Sequence, residues 1–362
     1  SDLRPGLGDG VRRPARRLGG MTVRAAAAGS LKRAVAFLES VQLPGGELPV
    51  YASTDPSLAT GAALDPSIFP SALAAWSLSF WPEADGVRDR ICDFLAAEML
   101  PHGLWRHWPR SHPHHASLPP DLDDSSCAAL AMQKAGRDVP DHRGLLLANR
   151  DAKGLFFTWL APRLRWSGWR HIALTGRQLA HAPALLMFFR RTSAKPRDVD
   201  AVVNANALYR LGPFDRDEAA LAFLTAILRE GRERQSDKWY DEPFVLWYFL
   251  ARALAGRSDE ARGLLSAKLA EAEAENALQL ALGLCAAVSL GERPDQARVS
   301  QLIALQAEDG SWPRAALYHG GRKRQRDGGF DAPHPDTPRW GSEALTTAFA
   351  VEALARWHDA AR

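Results

Sequence analysis

Apolar residues recur at helical spacing along most of the chain. The segments with this pattern are rich in Ala and Leu, and they include LKRAVAFLESVQ, DEAALAFLTAILRE, EPFVLWYFLARAL, ENALQLALGLCAAVSL and ALTTAFAVEALARW. A period of three to four residues is typical of a helix that buries one face, whereas a half-buried strand alternates with a period of two. Signals for strands are sparse. The pattern therefore predicts an all-helical protein.

Four helical segments, which begin at Arg33, Cys92, Arg143 and Gln301, end in a similar turn, and this indicates an internal repeat. The turns share a glycine, and these glycines are Gly46, Gly103, Gly154 and Gly310. Successive members are 57, 51 and 156 residues apart, and 156 is three times 52. The long gap leaves room for two degenerate copies near residues 206 and 258. The chain is therefore expected to contain six units of about fifty residues.

Each unit is long enough for two helices, and a helical hairpin cannot bury its apolar face alone, so the units must stack. An open superhelix and a closed ring both satisfy this requirement. Six units favour the ring, an α6/α6 toroid of six helical hairpins. We expect one such domain over residues 25–362. Residues 1–24, rich in Arg, Gly and Pro, are expected to be a basic tail or an added extension.

Charge, cysteine content and the length of apolar runs limit the partners and the cellular location of the protein. The chain has 45 Lys and Arg residues against 42 Asp and Glu residues, and a net charge of +3 does not argue for nucleic acid. The three cysteines lie far apart without a zinc or disulfide spacing, which favours a cytoplasmic protein. No uncharged apolar run reaches the roughly 18 residues of a membrane span. Peripheral membrane contact and homo-oligomerisation are left open.

Three carboxylates, Asp121, Asp123 and Asp124, lie between a Pro-Pro pair and a run of small apolar residues. They can be interpreted as helix caps, because acids in the first turn of a helix accept hydrogen bonds from its unpaired backbone N–H groups and complement the helix dipole. Crowded carboxylates also raise the pKa of at least one member, which keeps a carboxylic acid protonated near neutral pH. The stretch alone permits both interpretations.

The turns resemble the QW motif of the squalene-hopene cyclase and terpene cyclase superfamily. The first copy matches at Arg33, Ala34, Phe37, Leu38, Gln42 and Gly46, with Leu48 where Trp is usual. The last copy matches at Gln306, Gly310 and Trp312, and another has Met99 in place of Gln but keeps Gly103 and Trp105. The segment DLDDS, residues 121–125, is similar to the DxDD motif of class II cyclases, and residues 341–354 resemble their closing segment.

The resemblance implies acid-initiated cyclisation or isomerisation of an isoprenoid or another polyene. Asp123, the central acid, would donate the proton. Asp121 and Asp124 would tune the acidity of Asp123 and return a proton to it. No cofactor or metal is implied, and Mg²⁺ enters only if the substrate is a diphosphate. Class II cyclases usually place the site between two helical barrels, whereas this chain has the length for one. The pocket is therefore expected in the mouth of one ring, or to be completed by a partner subunit.

Candidate substrate contacts come from aromatic and amide side chains. Aromatic faces stabilise carbocations. Two aromatic clusters could provide such faces, one at residues 156–169, which includes Trp166, and one at residues 239–249. Core packing is the alternative for each ring. Asn204 and Asn206 interrupt an apolar helix, where they either face substrate or bond to a neighbouring helix. The predicted substrate-binding residues are Phe157, Trp159, Asn204, Asn206, Trp239 and Tyr240.

Two charged loops offer other interpretations. Five histidines precede the aspartates, at positions 102, 107, 112, 114 and 115, so a His/Asp metal site is an alternative, although their spacing lacks helical pairing. The cationic loop at residues 320–329 could bind an anionic tail or simply be solvated.

Two alternative functions are left open for the whole protein. One is a non-catalytic toroid that binds a lipid or protein, and the other is a carbohydrate-active toroid with paired carboxylates.

Overall fold

The computed structural model describes residues 22–163, 168–326 and 328–360, and this part of the chain is dominated by helices. Six helices form an outer ring: α1 (Val23–Val41), α3 (Asp85–Glu98), α5 (Arg143–Ala148), α9 (Glu218–Glu230), α11 (Asp259–Glu271) and α13 (Gln296–Ala304). Six form an inner ring: α2 (Ile68–Leu78), α4 (Leu122–Lys134), α8 (Ala201–Leu211), α10 (Pro243–Leu254), α12 (Ala277–Ser289) and α14 (Glu343–Ala360). Two more, α6 (Trp169–Leu179) and α7 (Ala182–Arg191), lie between α5 and α8.

The inner ring is closed. Each inner helix packs against the next one along the chain, and α14 returns to pack against α2. Every residue of α2 is buried, and so are residues 244–254 of α10, which explains why these segments are apolar on all sides. An outer helix such as α9 buries only one face. The predicted α6/α6 toroid of six hairpins is confirmed.

The positions predicted for the two degenerate units are wrong. Residue 206 lies inside α8, and Ser258 is the N-cap of α11 rather than part of a turn that follows an outer helix. The outer helices of the fourth and fifth units end at Glu230 and Glu271 instead. The physical reason is the insertion of α6 and α7, which lengthens the third unit and breaks the regular spacing of about fifty residues.

The predicted turns pack against neighbouring outer helices. Gly310 has φ of +92°, and a Cβ at this position would overlap the backbone carbonyl of Arg33 in α1. The Gln306 side chain donates to the carbonyls of Gly310 and Ser30, both at 2.9 Å. The Trp312 indole donates to the carbonyl of Leu302 at 2.7 Å. The turn therefore ties the end of α13 to α1 and helps to close the outer ring.

A small antiparallel sheet, which the sequence pattern does not predict, joins the first hairpin to the last. Its strands are β1 (Tyr51–Ser53), β2 (Ala63–Leu64), β3 (Ala316–His319) and β4 (Arg339–Gly341), in the order β2-β1-β4-β3. Tyr51 pairs with Gly341, and a bulge lies between Ala316 and Tyr318. Strands of two to four residues are too short for a period of two to be visible in a sequence.

The two ends of the chain, residues 1–21 and 361–362, lie outside the described residues. Thr22 caps α1, which begins at Val23, so the expected boundary at residue 25 falls within the first turn of that helix. Residues 1–21, which are interpreted as part of a tail, and Trp166 of the aromatic cluster both lie outside the described residues. In the described part, none of the helices combines the length and apolar character that crossing a bilayer requires.

The turn geometry predicts the effect of replacing its glycine. Gly310→Ala should lower the free energy of unfolding by about 1–2 kcal/mol or more, because alanine disfavours positive φ and its Cβ meets the Arg33 carbonyl. Gly263→Ala is the matched control, since Gly263 lies within α11 with open space around it. That variant should gain about 0.5–1 kcal/mol. Urea denaturation measures both, and equal stabilities of the two variants would contradict the prediction.

Candidate active site

The amino-terminal ends of the inner helices surround one mouth of the ring, and a cavity of about 110 Å³ lies there. Its walls are mainly aromatic, formed by Phe69, Trp108, Trp159, Phe188, Trp239, Tyr240, Tyr318 and Trp340. The remaining lining residues are Asp121, Asp123, Asp124, His107, His319, Thr158, Leu118 and Val203. A cavity with apolar walls and a few convergent polar groups is typical of a ligand site.

Asp123 lies at the start of α4, and two donors hold its carboxyl group. Asn206 Nδ2 of α8 donates to Oδ1 at 2.6 Å, and the Tyr240 hydroxyl donates to Oδ2 at 3.2 Å. The residue is 6% exposed. Each oxygen therefore has one protein donor, and a lone pair on each stays available for a proton or a ligand.

Asp121 and Asp124 have different partners from Asp123. Asp121 is the N-cap of α4, and its Oδ1 accepts the backbone N–H of Asp123 at 2.7 Å. Asp124 Oδ2 lies 3.6 Å from Nδ1 of His107, whereas its Oδ1 is buried with no hydrogen-bond partner in the described structure. One acid thus caps the helix, and a second faces a histidine. The capping interpretation therefore holds for Asp121, and proton donation by Asp123 stays a prediction.

Burial dominates the acid–base properties of this cluster. It raises the pKa of Asp123 to about 7, against the opposing effect of the Asn206 hydrogen bond, and the charge of Asp124 raises it further. Burial, followed by the charges of Asp124 and Asp123, also raises the pKa of Asp121 well above its ordinary value. A carboxyl group that stays protonated near neutral pH can act as a general acid.

A second layer of buried charges lies behind the cavity wall. Asp237 accepts the backbone N–H groups of Val202 and Trp239, both at 2.8 Å, and thereby fixes the segment that carries Trp239. Asp200 accepts the Thr158 hydroxyl at 2.5 Å. Burial raises the pKa of Asp200 to about 7 and that of Asp237 to about 6. These acids hold the loops of the cavity wall in place.

A buried ion pair completes this layer. Lys238 Nζ lies 2.6 Å from Asp198 Oδ2 and donates to the Ser193 carbonyl at 2.8 Å. Arg322, from the cationic loop, is also buried and donates to the carbonyls of Tyr240 and Arg234. The loop predicted as either anion-binding or solvated thus supplies a structural arginine. Its bonds attach the segment after β3 to the segment before α10.

The structure brings together most of the predicted site residues, but not all. Asn206, Trp239 and Tyr240 meet Asp123 or its cavity, and Trp159 lines the same cavity. Asn204 does not line it: its side chain bonds to the backbone of Phe156 and Asp200. Phe157 also lies outside the lining, beneath the Arg163 guanidinium, whose carbon is 3.7 Å from the ring centroid. The two asparagines of α8 therefore have different roles. Asn204 holds neighbouring backbone in place, whereas Asn206 contacts Asp123.

Sequence reasoning missed several lining residues. Tyr318 and Trp340 stack with ring centroids 5.2 Å apart, and both come from the unpredicted sheet. Phe188 comes from α7, and Phe69 from the start of α2. His107 belongs to the histidine stretch but faces Asp124 rather than a metal cluster. Of these residues, only His107 could have been predicted to line the cavity, because it lies close to the aspartates in the sequence.

Of the other histidines, His112 and His114 pack against Trp108 and against each other, whereas His102 lies apart from them. His112 Nε2 lies 3.1 Å from Asp65 Oδ1, and its ring stacks on Trp108. The His102 ring contacts Trp169, with centroids 5.3 Å apart. In the described ranges, no three His, Cys, Asp or Glu side chains are grouped in a way that could hold a metal ion.

The closed double ring of helices is an α/α toroid, and structures of terpene cyclases share this fold. A structure of the type II terpene cyclase MstE from Scytonema, in complex with geranylgeranyl dihydroxybenzoate, matches with a TM-score of 0.61 and 15% identity over 93% of this chain and 99% of that chain. A complex of another MstE variant with merosterolic acid A gives a TM-score of 0.62 at 15% identity over 93% of this chain and 98% of that one.

A protein from Actinoplanes has a TM-score of 0.62 and 18% identity, over 91% of this chain and 99% of that chain. No protein-family model and no curated protein matches the sequence. At these identities the likenesses show the fold, and they cover nearly the full length of the matched chains.

The raised pKa of Asp123 predicts a pH-dependent stability. Between about pH 4 and pH 7 the folded state keeps a proton that the unfolded state loses, so this group's contribution to stability falls as the pH rises. Asp123→Asn removes that contribution. The melting temperature of the variant, relative to that of the parent, should therefore be higher at pH 8 than at pH 5.

Asp138→Asn is the control, because Asp138 is exposed in the loop after α4. Its melting temperature should keep a constant offset from the parent at both pH values. An equally constant offset for Asp123→Asn would contradict the assignment.

Proposed function

We propose that the protein is a class II terpene cyclase-like enzyme that protonates an isoprenoid or other polyene and cyclises or isomerises it. The observation that carries this proposal is the position of Asp123. It is a buried acid with a raised pKa, held by Asn206 and Tyr240, and it opens into a cavity with aromatic walls. The shared fold with a terpene cyclase supports the same chemistry.

The two donors on Asp123 make it a stronger acid than burial alone would. Burial keeps the proton on the carboxyl group, whereas the bonds from Asn206 and Tyr240 favour the carboxylate that remains after transfer. In the proposed step, the O–H bond of Asp123 breaks and a C–H bond forms at an alkene carbon of the substrate. A carbocation and the Asp123 carboxylate result.

The aromatic walls would stabilise the carbocation. The rings of Trp159 and Trp239 meet edge to face with centroids 6.1 Å apart, and Tyr318 stacks on Trp340 on another side of the cavity. Aromatic faces attract cations, and the attraction is stronger in a site without water. Besides the indoles, the polar groups of this lining are three carboxyl groups, two histidines and the hydroxyls of Thr158, Tyr240 and Tyr318.

His107 offers a route by which the cluster regains its proton. Its Nδ1 faces Asp124, and its Nε2 lies 3.5 Å from the Tyr318 hydroxyl. Asp124 is next to Asp123 in the chain and lines the same cavity. We propose that Asp121 and Asp124 tune Asp123, with Asp124 and His107 passing the proton back. No metal is needed for this chemistry, and Mg²⁺ would be involved only with a diphosphate substrate.

The size of the cavity implies that its cover moves when substrate binds. A cavity of 110 Å³ is smaller than the roughly 300–1,000 Å³ of ordinary ligand pockets. Phe188 of α7 lines it and contacts Trp159, with ring centroids 5.3 Å apart. Phe189 contacts the same tryptophan. We propose that α7 shifts outward to admit the isoprenoid, so that a single ring forms the pocket without a second barrel.

The surface of α6 and α7 supports peripheral contact with a membrane. Five of the seven large apolar side chains exposed in the described part lie on these helices, between 45% and 68% exposed: Trp169, Ile172, Leu179, Leu186 and Met187. Residues 152–197 contain no Asp or Glu, but several Arg and Lys. Apolar and cationic surfaces together favour anionic lipid interfaces. A hydrophobic substrate could enter from there.

Removal of the acidic proton is the direct test. Asp123→Asn keeps the side chain's size and most of its hydrogen bonds, so the circular dichroism spectrum should be unchanged. On a polyprenyl substrate turned over by the parent, the rate should fall about 10²–10⁴-fold or more. Product formation is measured by gas or liquid chromatography with mass spectrometry.

The control is again Asp138→Asn, which should keep parental turnover. If the aspartates only cap α4, asparagine serves nearly as well, and Asp123→Asn would retain near-parental activity. That result would falsify the proposal and leave a non-catalytic toroid as the better interpretation.

The cavity wall should control the products. Trp239→Leu removes a ring that faces the carbocation, so the ratio of products should change while some turnover persists. Trp169→Leu is the matched control, because Trp169 is exposed on α6 and lies outside the lining. The same product ratio from both variants would show that Trp239 does not contact the reacting chain.

A further inference from the structure

A second cavity, of about 320 Å³, lies at the opposite mouth of the ring from the aspartates. Each inner helix contributes one residue from its carboxyl-terminal part: Trp76, Lys134, Tyr209, Arg252, Ser289 and Arg356. Phe80, just after α2, completes the aromatic part of the wall. The site combines three cationic side chains with three aromatic rings.

Arg252 is a buried cation without a counter-ion in this site. It is 7% exposed, and in the described structure no carboxylate lies within ion-pair distance of it. Its Nη1 donates to the Tyr248 hydroxyl at 3.2 Å, whereas its buried Nε has no hydrogen-bond partner. The guanidinium carbon lies 4.8 Å from the Trp76 ring centroid and 4.7 Å from that of Tyr209. Buried charges in proteins are ordinarily paired with an opposite charge, and Arg252 has contacts with a hydroxyl and aromatic rings in its place.

The one carboxylate among the described contacts of these cations is already engaged. Glu352 Oε1 pairs with Arg356 Nη1 at 2.8 Å. Its Oε2 accepts hydrogen bonds from Ser77 at 2.8 Å and Tyr248 at 3.0 Å. Lys134 has no carboxylate partner in the described structure, and its Nζ lies over the Phe80 ring at 4.4 Å. The cavity therefore has an excess of positive side-chain charge.

Compensation of the helix dipoles explains only part of this arrangement. Cations are favoured at helix carboxyl ends, where they hydrogen-bond the last free carbonyls. Arg356 lies at such an end, with Nη1 3.4 Å from the Cys285 carbonyl in the last turns of α12. For Lys134 and Arg252, the described contacts are with aromatic rings and a hydroxyl instead. These two cations are thus free to bind a ligand.

We propose that this cavity binds a small organic anion with a flat or unsaturated apolar body, such as an aromatic carboxylate, sulfonate or phosphate monoester. The acidic group would bind between Arg252 and Lys134, with Arg356 at its edge, and the body would lie against Trp76, Phe80 and Tyr209. Guanidinium groups bind such anions by charge-assisted hydrogen bonds. The site does not depend on the function proposed for Asp123.

Isothermal titration calorimetry with naphthalenesulfonate tests the site, and naphthalenemethanol is the neutral probe of similar shape. The parent should bind the sulfonate with one-to-one stoichiometry, and the alcohol about tenfold or more weakly. Lys134→Met should weaken sulfonate binding by a similar factor without loss of fold, because Lys134 is exposed. Lys153→Met, in an exposed loop away from the cavity, should not change it.

Two further variants separate this site from its alternatives. Arg252→Met should abolish sulfonate binding, and circular dichroism shows whether the buried substitution folds; Lys134→Met carries the test if it does not. Asp123→Asn should keep parental affinity, whereas loss of binding there would place the probe in the acid cavity and overturn the proposal. Absence of binding by the parent, equal affinity for the alcohol, or an unchanged affinity of Lys134→Met would each overturn it as well.

Discussion

The parallel packing of six inner helices is the constraint on which the rest of the structure depends. Closure of the ring places all six amino-terminal ends at one mouth and all six carboxyl-terminal ends at the other. Helix dipoles then favour negative charge at the first mouth and positive charge at the second. The chain follows this polarity, with Asp121, Asp123 and Asp124 at one end and Lys134, Arg252 and Arg356 at the other.

The acid cavity shows a conflict between stability and chemistry. Burying Asp123 beside Asp121 and Asp124 is unfavourable for the ionised state, and the structure offsets it with protonation, helix N-termini and hydrogen bonds from Asn206 and Tyr240. The same burial keeps a proton available near neutral pH. The conditions that make the cluster unfavourable for the fold are therefore those that a general acid requires.

The segments that complete the cavity lie outside the regular repeat. Helix α7 supplies Phe188, and the short sheet supplies Tyr318 and Trp340, whereas the hairpins supply the acid and its partners. A single ring thus closes its own mouth with an insertion and a sheet. Because these covers are attached to a rigid ring and are small, they are the parts that can differ in shape without disturbing the twelve-helix framework.

The sequence by itself determined the helices, favoured a closed ring of six hairpins over an open superhelix, and indicated the acid cluster with Trp239 and Tyr240 near it, because helical periodicity and motif spacing are local properties of a chain. It did not distinguish Asn204 from Asn206, since only the packing of α8 decides which amide hydrogen-bonds Asp123. The tertiary structure alone decided the insertion of α6 and α7, the sheet, and the cationic cavity. Contacts between residues as distant as Trp76 and Arg252 leave no periodic signal in the sequence, because they arise only when the ring closes.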